Sequence, residues 1–105
     1  MQLDLTEHDS GGVRQVRVGD EITVALTENP TTGYRWHADI DTALLQLTAD
    51  RYEGPERPVG ASGIRRLTFS PLRPGPARLH LVKRRSWETS AVAEYDVALD
   101  VADAL

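Results

Sequence analysis

At 105 residues with no cysteine, the chain has the length of one domain and offers neither a disulfide, a thiolate metal site nor a cysteine nucleophile. Its 16 acidic and 12 basic residues give a net charge of -4, the wrong sign for a duplex-binding domain, and Lys83-Arg84-Arg85 and Arg65-Arg66 are too short for a basic face. No apolar run approaches the roughly 20 residues of a membrane span, so neither nucleic acid nor membrane is an expected partner.

The first residues, Met1-Gln2-Leu3-Asp4-Leu5-Thr6-Glu7, have neither a basic start nor an apolar stretch. The expectation is a cytoplasmic protein, or a periplasmic or secreted one whose export segment has been removed. Period-two alternation then dominates. Val16 and Val18 lead to the Gly19-Asp20 turn, after which Ile22, Val24 and Leu26 share one face and Glu21, Thr23, Ala25 and Thr27 the other. The stretch Asn29-Pro30-Thr31-Thr32-Gly33 follows, and Tyr34 and Trp36 resume the alternation. Pro30 fixes φ and lacks an N–H, Gly33 admits positive φ, and Asn29 can bond its own backbone, so a stiff turn is expected with two threonines at its tip.

Asp41 to Leu45 fits one helical turn, and Gln46 to Tyr52 a further strand. Glu53 to Gly63 is polar and broken by Gly54, Pro55, Pro58 and Gly60, which marks a long loop. Ile64 to Leu72 reads as a strand with Leu67 and Phe69 on one face. Pro74-Gly75 is a turn, and Ala77, Leu79 and Leu81 alternate again. Lys83 to Ala91 reads as a polar loop holding Trp87, with Lys83-Arg84-Arg85 as possible edge-strand charges that discourage aggregation. Tyr95, Val97, Leu99 and Val101 complete the pattern.

About seven short strands at regular spacing, with almost no helical period, make the chain all-β. The pattern favours an immunoglobulin-like antiparallel β-sandwich over a barrel, without the disulfide of antibody domains, and residues 1–105 read as a single domain. In a sandwich alternate loops gather at one end, which would bring together Thr31 and Thr32, then Gly60-Ala61-Ser62-Gly63, then Arg85-Ser86-Trp87-Glu88.

Each of these residues also has a plain reading. Thr31 and Thr32 can be loop residues whose hydroxyls satisfy nearby backbone, and Gly60 and Gly63 suit any flexible loop. Trp36, in a strand, reads as core, and Tyr34 as a support packed beneath the loop. Trp87 differs, because Arg85, Ser86, Glu88, Thr89 and Ser90 around it are all polar; a loop tryptophan without apolar company suggests a partner contact. His8, His37 and His80 lack ligand spacing, so neither a metal nor another cofactor is expected. No acid/base pair or nucleophile motif points to an enzyme.

Taken together, the three loops resemble those of the chagasin-like inhibitors of papain-family cysteine proteases. The family's first loop, Asn-Pro-Thr-Thr-Gly, is intact at Asn29, Pro30, Thr31, Thr32 and Gly33. Its second, a Gly-x-Gly-Gly loop running into a strand, stands here as Gly60, Ala61, Ser62 and Gly63, with serine for one glycine. Its third, Arg-Pro-Trp, stands as Arg85, Ser86 and Trp87, with serine for proline. The resemblance spans residues 13 to 101 and implies a reversible, competitive protein inhibitor, a monomer whose partner is a papain-like cysteine protease. It implies that the threonine loop covers the catalytic cysteine while the other two loops flank it. Ser62 narrows the backbone freedom of the second loop, and Ser86 removes a rigidifying ring, so the third loop is expected to lose more entropy on docking. The competing reading is an immunoglobulin-like module that uses the same loop end for another protein or a glycan.

Overall fold

The computed structural model describes residues 1–54 and 62–105. Among them are eight strands: β1 (Gln2–Thr6), β2 (Val13–Arg17), β3 (Glu21–Glu28), β4 (Tyr34–Ala38), β5 (Leu45–Glu53), β6 (Gly63–Pro71), β7 (Gly75–Arg85) and β8 (Ala93–Ala102). They form two four-stranded sheets, ordered β1-β3-β6-β5 and β2-β8-β7-β4. The all-β sandwich expected from the alternation is present.

The inward positions of both sheets meet in one core. Ile22, Val24 and Leu26 of β3 and Leu67 and Phe69 of β6 face Leu79 and Leu81 of β7 and Tyr95, Val97, Leu99 and Val101 of β8, all of them buried. Each such side chain contributes about 1.5–3 kcal/mol by leaving water. Trp36 is half-buried against this core, and its indole Nε1 donates to the Thr27 carbonyl at 3.1 Å, in keeping with its reading as a core residue.

Three features depart from the sequence reading. The first residues form a strand, β1, parallel to β3, and β2 runs parallel to β8. Period-two patterning fixes which face is buried but not strand direction, and neither short strand has a hairpin turn to its partner that would signal it. The polar segment Lys83-Arg84-Arg85 is strand rather than loop, since β7 runs on to Arg85 and pairs with β4 through Tyr34↔Arg85 and Arg35↔Arg84. It is also no edge, because β7 lies between β8 and β4. The turn at Asp41 is as expected, with the amides of Leu44 and Leu45 both donating to the Asp41 carbonyl at 3.0 Å. The long loop before β6 lies largely outside the described residues.

The same alternation places charge inside. Glu28 continues the buried series Ile22, Val24, Leu26, and Arg65 continues Leu67 and Phe69, so both side chains point into the sandwich. Glu28 is fully buried and Arg65 is 7% exposed. Glu28 Oε2 accepts from Arg65 Nε at 3.0 Å and Nη2 at 2.6 Å, and Oε1 accepts from the Trp36 amide at 2.8 Å. Arg65 Nη1 also donates to Asp50 Oδ1 at 3.1 Å. Burial works against the Arg65 charge, but the bonds and charges of Glu28 and Asp50 outweigh it and hold its pKa above the ordinary value.

A second clasp joins the two sheets. The hydroxyl of Tyr95, on β8, donates to the Thr6 carbonyl at the end of β1 at 3.0 Å. Burial, with a smaller contribution from the nearby charge of Asp9, pushes the Tyr95 pKa from 10.0 up to about 12.

Glu28→Ala should cost about 3–5 kcal/mol by leaving Arg65 buried with only a partial partner, while Glu28→Leu combined with Arg65→Met should recover most of the loss. Urea unfolding of the three proteins measures both. For Tyr95 the folded-state pKa lies above the unfolded one, so its contribution is complete below pH 10.0 and is lost as pH rises through about 12. Unfolding midpoints measured against pH should therefore fall across that window, and the slope should flatten in Tyr95→Phe.

Candidate functional site

Immediately after the buried Glu28, the chain leaves one sheet and enters the other through Asn29 to Gly33. Pro30–Thr32 form a single 3-10 turn with Asn29 as its N-cap and Gly33 as its C-cap. Asn29 Oδ1 accepts from the Thr31 amide at 3.1 Å and from the Thr31 hydroxyl at 2.6 Å. The Thr32 hydroxyl donates to the Asn29 carbonyl at 2.8 Å and accepts from the Tyr34 amide at 3.3 Å. Gly33 closes the turn at φ 81, a left-handed conformation that side chains disfavour. The hydroxyls therefore satisfy nearby groups, as the plain reading held, and in doing so hold Thr31 and Thr32 exposed on a fixed tip.

The third loop stands beside it. Glu88 donates its amide to the Arg85 carbonyl at 3.0 Å, which makes Arg85 to Glu88 a β-turn with Ser86 and Trp87 at its centre. The Arg85 guanidinium lies 4.5 Å from the Tyr34 ring and 5.8 Å from that of Trp87, and donates to Glu88 Oε1 at 3.3 Å. Tyr34 thus supports the loops through a cation–π stack. Trp87 is 73% exposed. A Cβ placed on Gly33 would come within 3.2 Å of Trp87 Cη2, so the Trp87 ring stands directly beside the closing residue of the first loop.

Of the second loop, Gly60 and Ala61 lie outside the described residues. Ser62 is exposed, and Gly63 pairs with Glu28, which brings the end of this loop beside the start of the first. Gly63 has no room for a side chain: a Cβ there would press on the Glu53 carbonyl and lie 2.5 Å from the Tyr52 hydroxyl. Its close approach is to its own chain. Tyr52 in turn lies 5.4 Å beneath the Arg65 guanidinium, which ties the second loop to the buried ion pair.

Sequence reasoning missed three residues here: Glu28, Arg65 and Arg84. The first two carried a signal, since opposite charges occupy inward positions of strands that pair. Arg84 was hidden in what reads as a charge run. Its Nη1 lies 3.1 Å from the Glu88 carbonyl oxygen, 3.3 Å from that of Arg85 and 3.4 Å from that of Ser86. Beneath the loop, His37, His80, Val82 and Arg84 line a groove on the outer face of the sheet. Burial, and then the Arg84 charge, hold the His37 pKa below its ordinary value. Among the described residues no group of three or more His, Cys, Asp or Glu could hold a metal ion.

The first and third loops, each held by its own hydrogen bonds and set side by side with an exposed tryptophan, fit a binding protein. The model of the chagasin family of peptidase inhibitors, I42, matches residues 15–101, and the chain belongs to that family; it is an inhibitor, not an enzyme. It is 31% identical to Amoebiasin-2 of Entamoeba histolytica over 87 residues, covering 80% of this chain and 71% of that one. The crystal structure of the cysteine protease inhibitor EhICP2 from Entamoeba histolytica superimposes with a TM-score of 0.86 at 25% identity, over 96% of both chains. The fold is shared with PbICP-C, solved in complex with falcipain-2, at a TM-score of 0.62 and 14% identity, over 99% of this chain and 90% of that one.

Gly33→Ala meets both a positive φ and the Trp87 ring, and should cost at least about 1 kcal/mol while shifting the Trp87 indole resonance. Asn29→Ala removes a cap and should cost about 1 kcal/mol without moving that resonance as far. Denaturant unfolding together with indole NH spectra distinguishes the two.

Proposed function

We propose that the chain is a reversible, competitive inhibitor of a papain-like cysteine protease, which wedges its three loops into the active-site cleft. The closeness of the Trp87 ring to Gly33 is the observation that most favours this reading, because it sets two sequence-distant motifs side by side before any partner arrives. Preorganisation of this kind lowers the ordering cost of association.

Each loop then has a task suited to its chemistry. Asn29, Pro30, Thr31, Thr32 and Gly33 present a blunt, internally bonded tip over the catalytic cysteine. Trp87, with Arg85 behind it and Ser86 beside it, packs against one wall of the cleft; a tryptophan buries a large face with few rotamers to freeze. Gly60, Ala61 and Ser62 run along the other wall, where a chain with little side-chain bulk can approach the protease backbone, while Gly63 anchors them beside Glu28. An interface of this kind buries about 800 Å² on each partner. Occlusion alone stops the enzyme, and no nucleophile, acid or metal is needed from the inhibitor.

Titration into papain at fixed concentration, followed with a fluorogenic peptide, should give tight, reversible loss of activity that substrate competes away. No inhibition of papain or of a cathepsin-like enzyme at micromolar concentration would overturn the reading and turn the loop end toward another protein or a glycan. Trp87→Ala and Thr31→Tyr should each raise the inhibition constant roughly 30-fold, the scale of an interface hot spot, while changing stability by no more than about 0.5 kcal/mol. Unchanged constants in both variants would remove the wedge.

A further inference from the structure

We propose that Arg84 is a positioning residue that holds the third loop in its docking shape, replacing by hydrogen bonding the stiffness that a ring at residue 86 would supply. The inference deepens the three-loop reading and rests on it.

Three observations converge on Arg84. First, the loop tip is little buried. It borders a groove lined also by His37, His80 and Val82, and Trp87 is 73% exposed. Second, the carbonyls of Arg85, Ser86 and Glu88 converge on one guanidinium nitrogen, Nη1, at 3.3, 3.4 and 3.1 Å. Three carbonyl dipoles aimed at one point repel unless a cation stands there, so the shape of the turn depends on the charge of Arg84. Third, Ser86 occupies the first central position of the Arg85 to Glu88 turn, where proline is preferred because its φ is already set. Serine leaves that torsion free, and a bond from outside the turn restores the restraint.

The chain therefore divides the work between neighbours. Arg85 points to Tyr34 and Glu88 on the side of the first loop, while Arg84 ties the loop's own backbone. Half-buried beneath the turn, Arg84 acts on a partner through the orientation of Trp87.

A paired experiment tests this. In the free protein, amide relaxation at Trp87 and Glu88 should report order parameters near 0.85 in the native chain, falling to below about 0.6 in Arg84→Met. With papain, Arg84→Met should raise the inhibition constant about tenfold in the native loop but less than about threefold in the Ser86→Pro background, where the ring supplies the restraint instead. Equal losses in both backgrounds would overturn the proposal and make Arg84 a direct protease contact. Unchanged loop relaxation in Arg84→Met would overturn it as well. If the native protein inhibits no papain-like protease, the wedge reading fails, while the relaxation measurement still judges the role of Arg84 in the loop.

Discussion

Everything at the loop end is built on the buried pair of Glu28 and Arg65. Opposite charges in an apolar interior are stable only when their hydrogen-bonding capacity is met, and here it is met by groups from four strands. Glu28 belongs to β3, Arg65 to β6 and Asp50 to β5, while the Trp36 amide that donates to Glu28 belongs to β4 in the other sheet. The pair therefore fastens the two sheets together at the place where the chain crosses between them. The threonine loop is that crossing, and the second loop ends opposite Glu28. In the proposed wedge, a partner would press on these loops against a support that already has one preferred geometry.

Above this base the loops are stiffened by different means. The first relies on its own residues: a cap from Asn29, a fixed torsion from Pro30 and a left-handed closure at Gly33. The third borrows, with Tyr34 beneath Arg85 and the Arg84 guanidinium beneath the turn. Gly63 contributes through what it lacks, since any side chain there would collide with Tyr52 and Glu53. Stiffness in a binding loop limits the freedom lost on docking, and a small domain without disulfides has to obtain it from bonds of this kind.

The sandwich was legible because burial of alternate positions is dictated by period two, and Ile22-Val24-Leu26 and Tyr95-Val97-Leu99-Val101 state it without interruption. The direction of β1 and β2 was not, because a short strand far from its partner in sequence carries no turn that would encode it. At the loop end, Asn29 to Gly33 was readable from turn chemistry and Trp87 from its polar company. The inward turn of Glu28 and Arg65 was written in the same alternation, but charge is read by default as surface. Arg84 had no local signal, since a long side chain reaches carbonyls up to four residues away and nothing in a run of basic residues says which one turns inward.

The crossing between the sheets has one more consequence. A protease cuts a peptide bond that lies extended in its cleft, where the substrate backbone pairs with the enzyme like an added strand. Pro30–Thr32 are wound into a 3-10 turn, and the amides of Thr31, Thr32 and Gly33 are already bonded to Asn29 and Pro30. A segment so occupied offers no strand to pair and no scissile bond in the reactive shape, so it can lie against a hydrolytic centre without becoming its substrate.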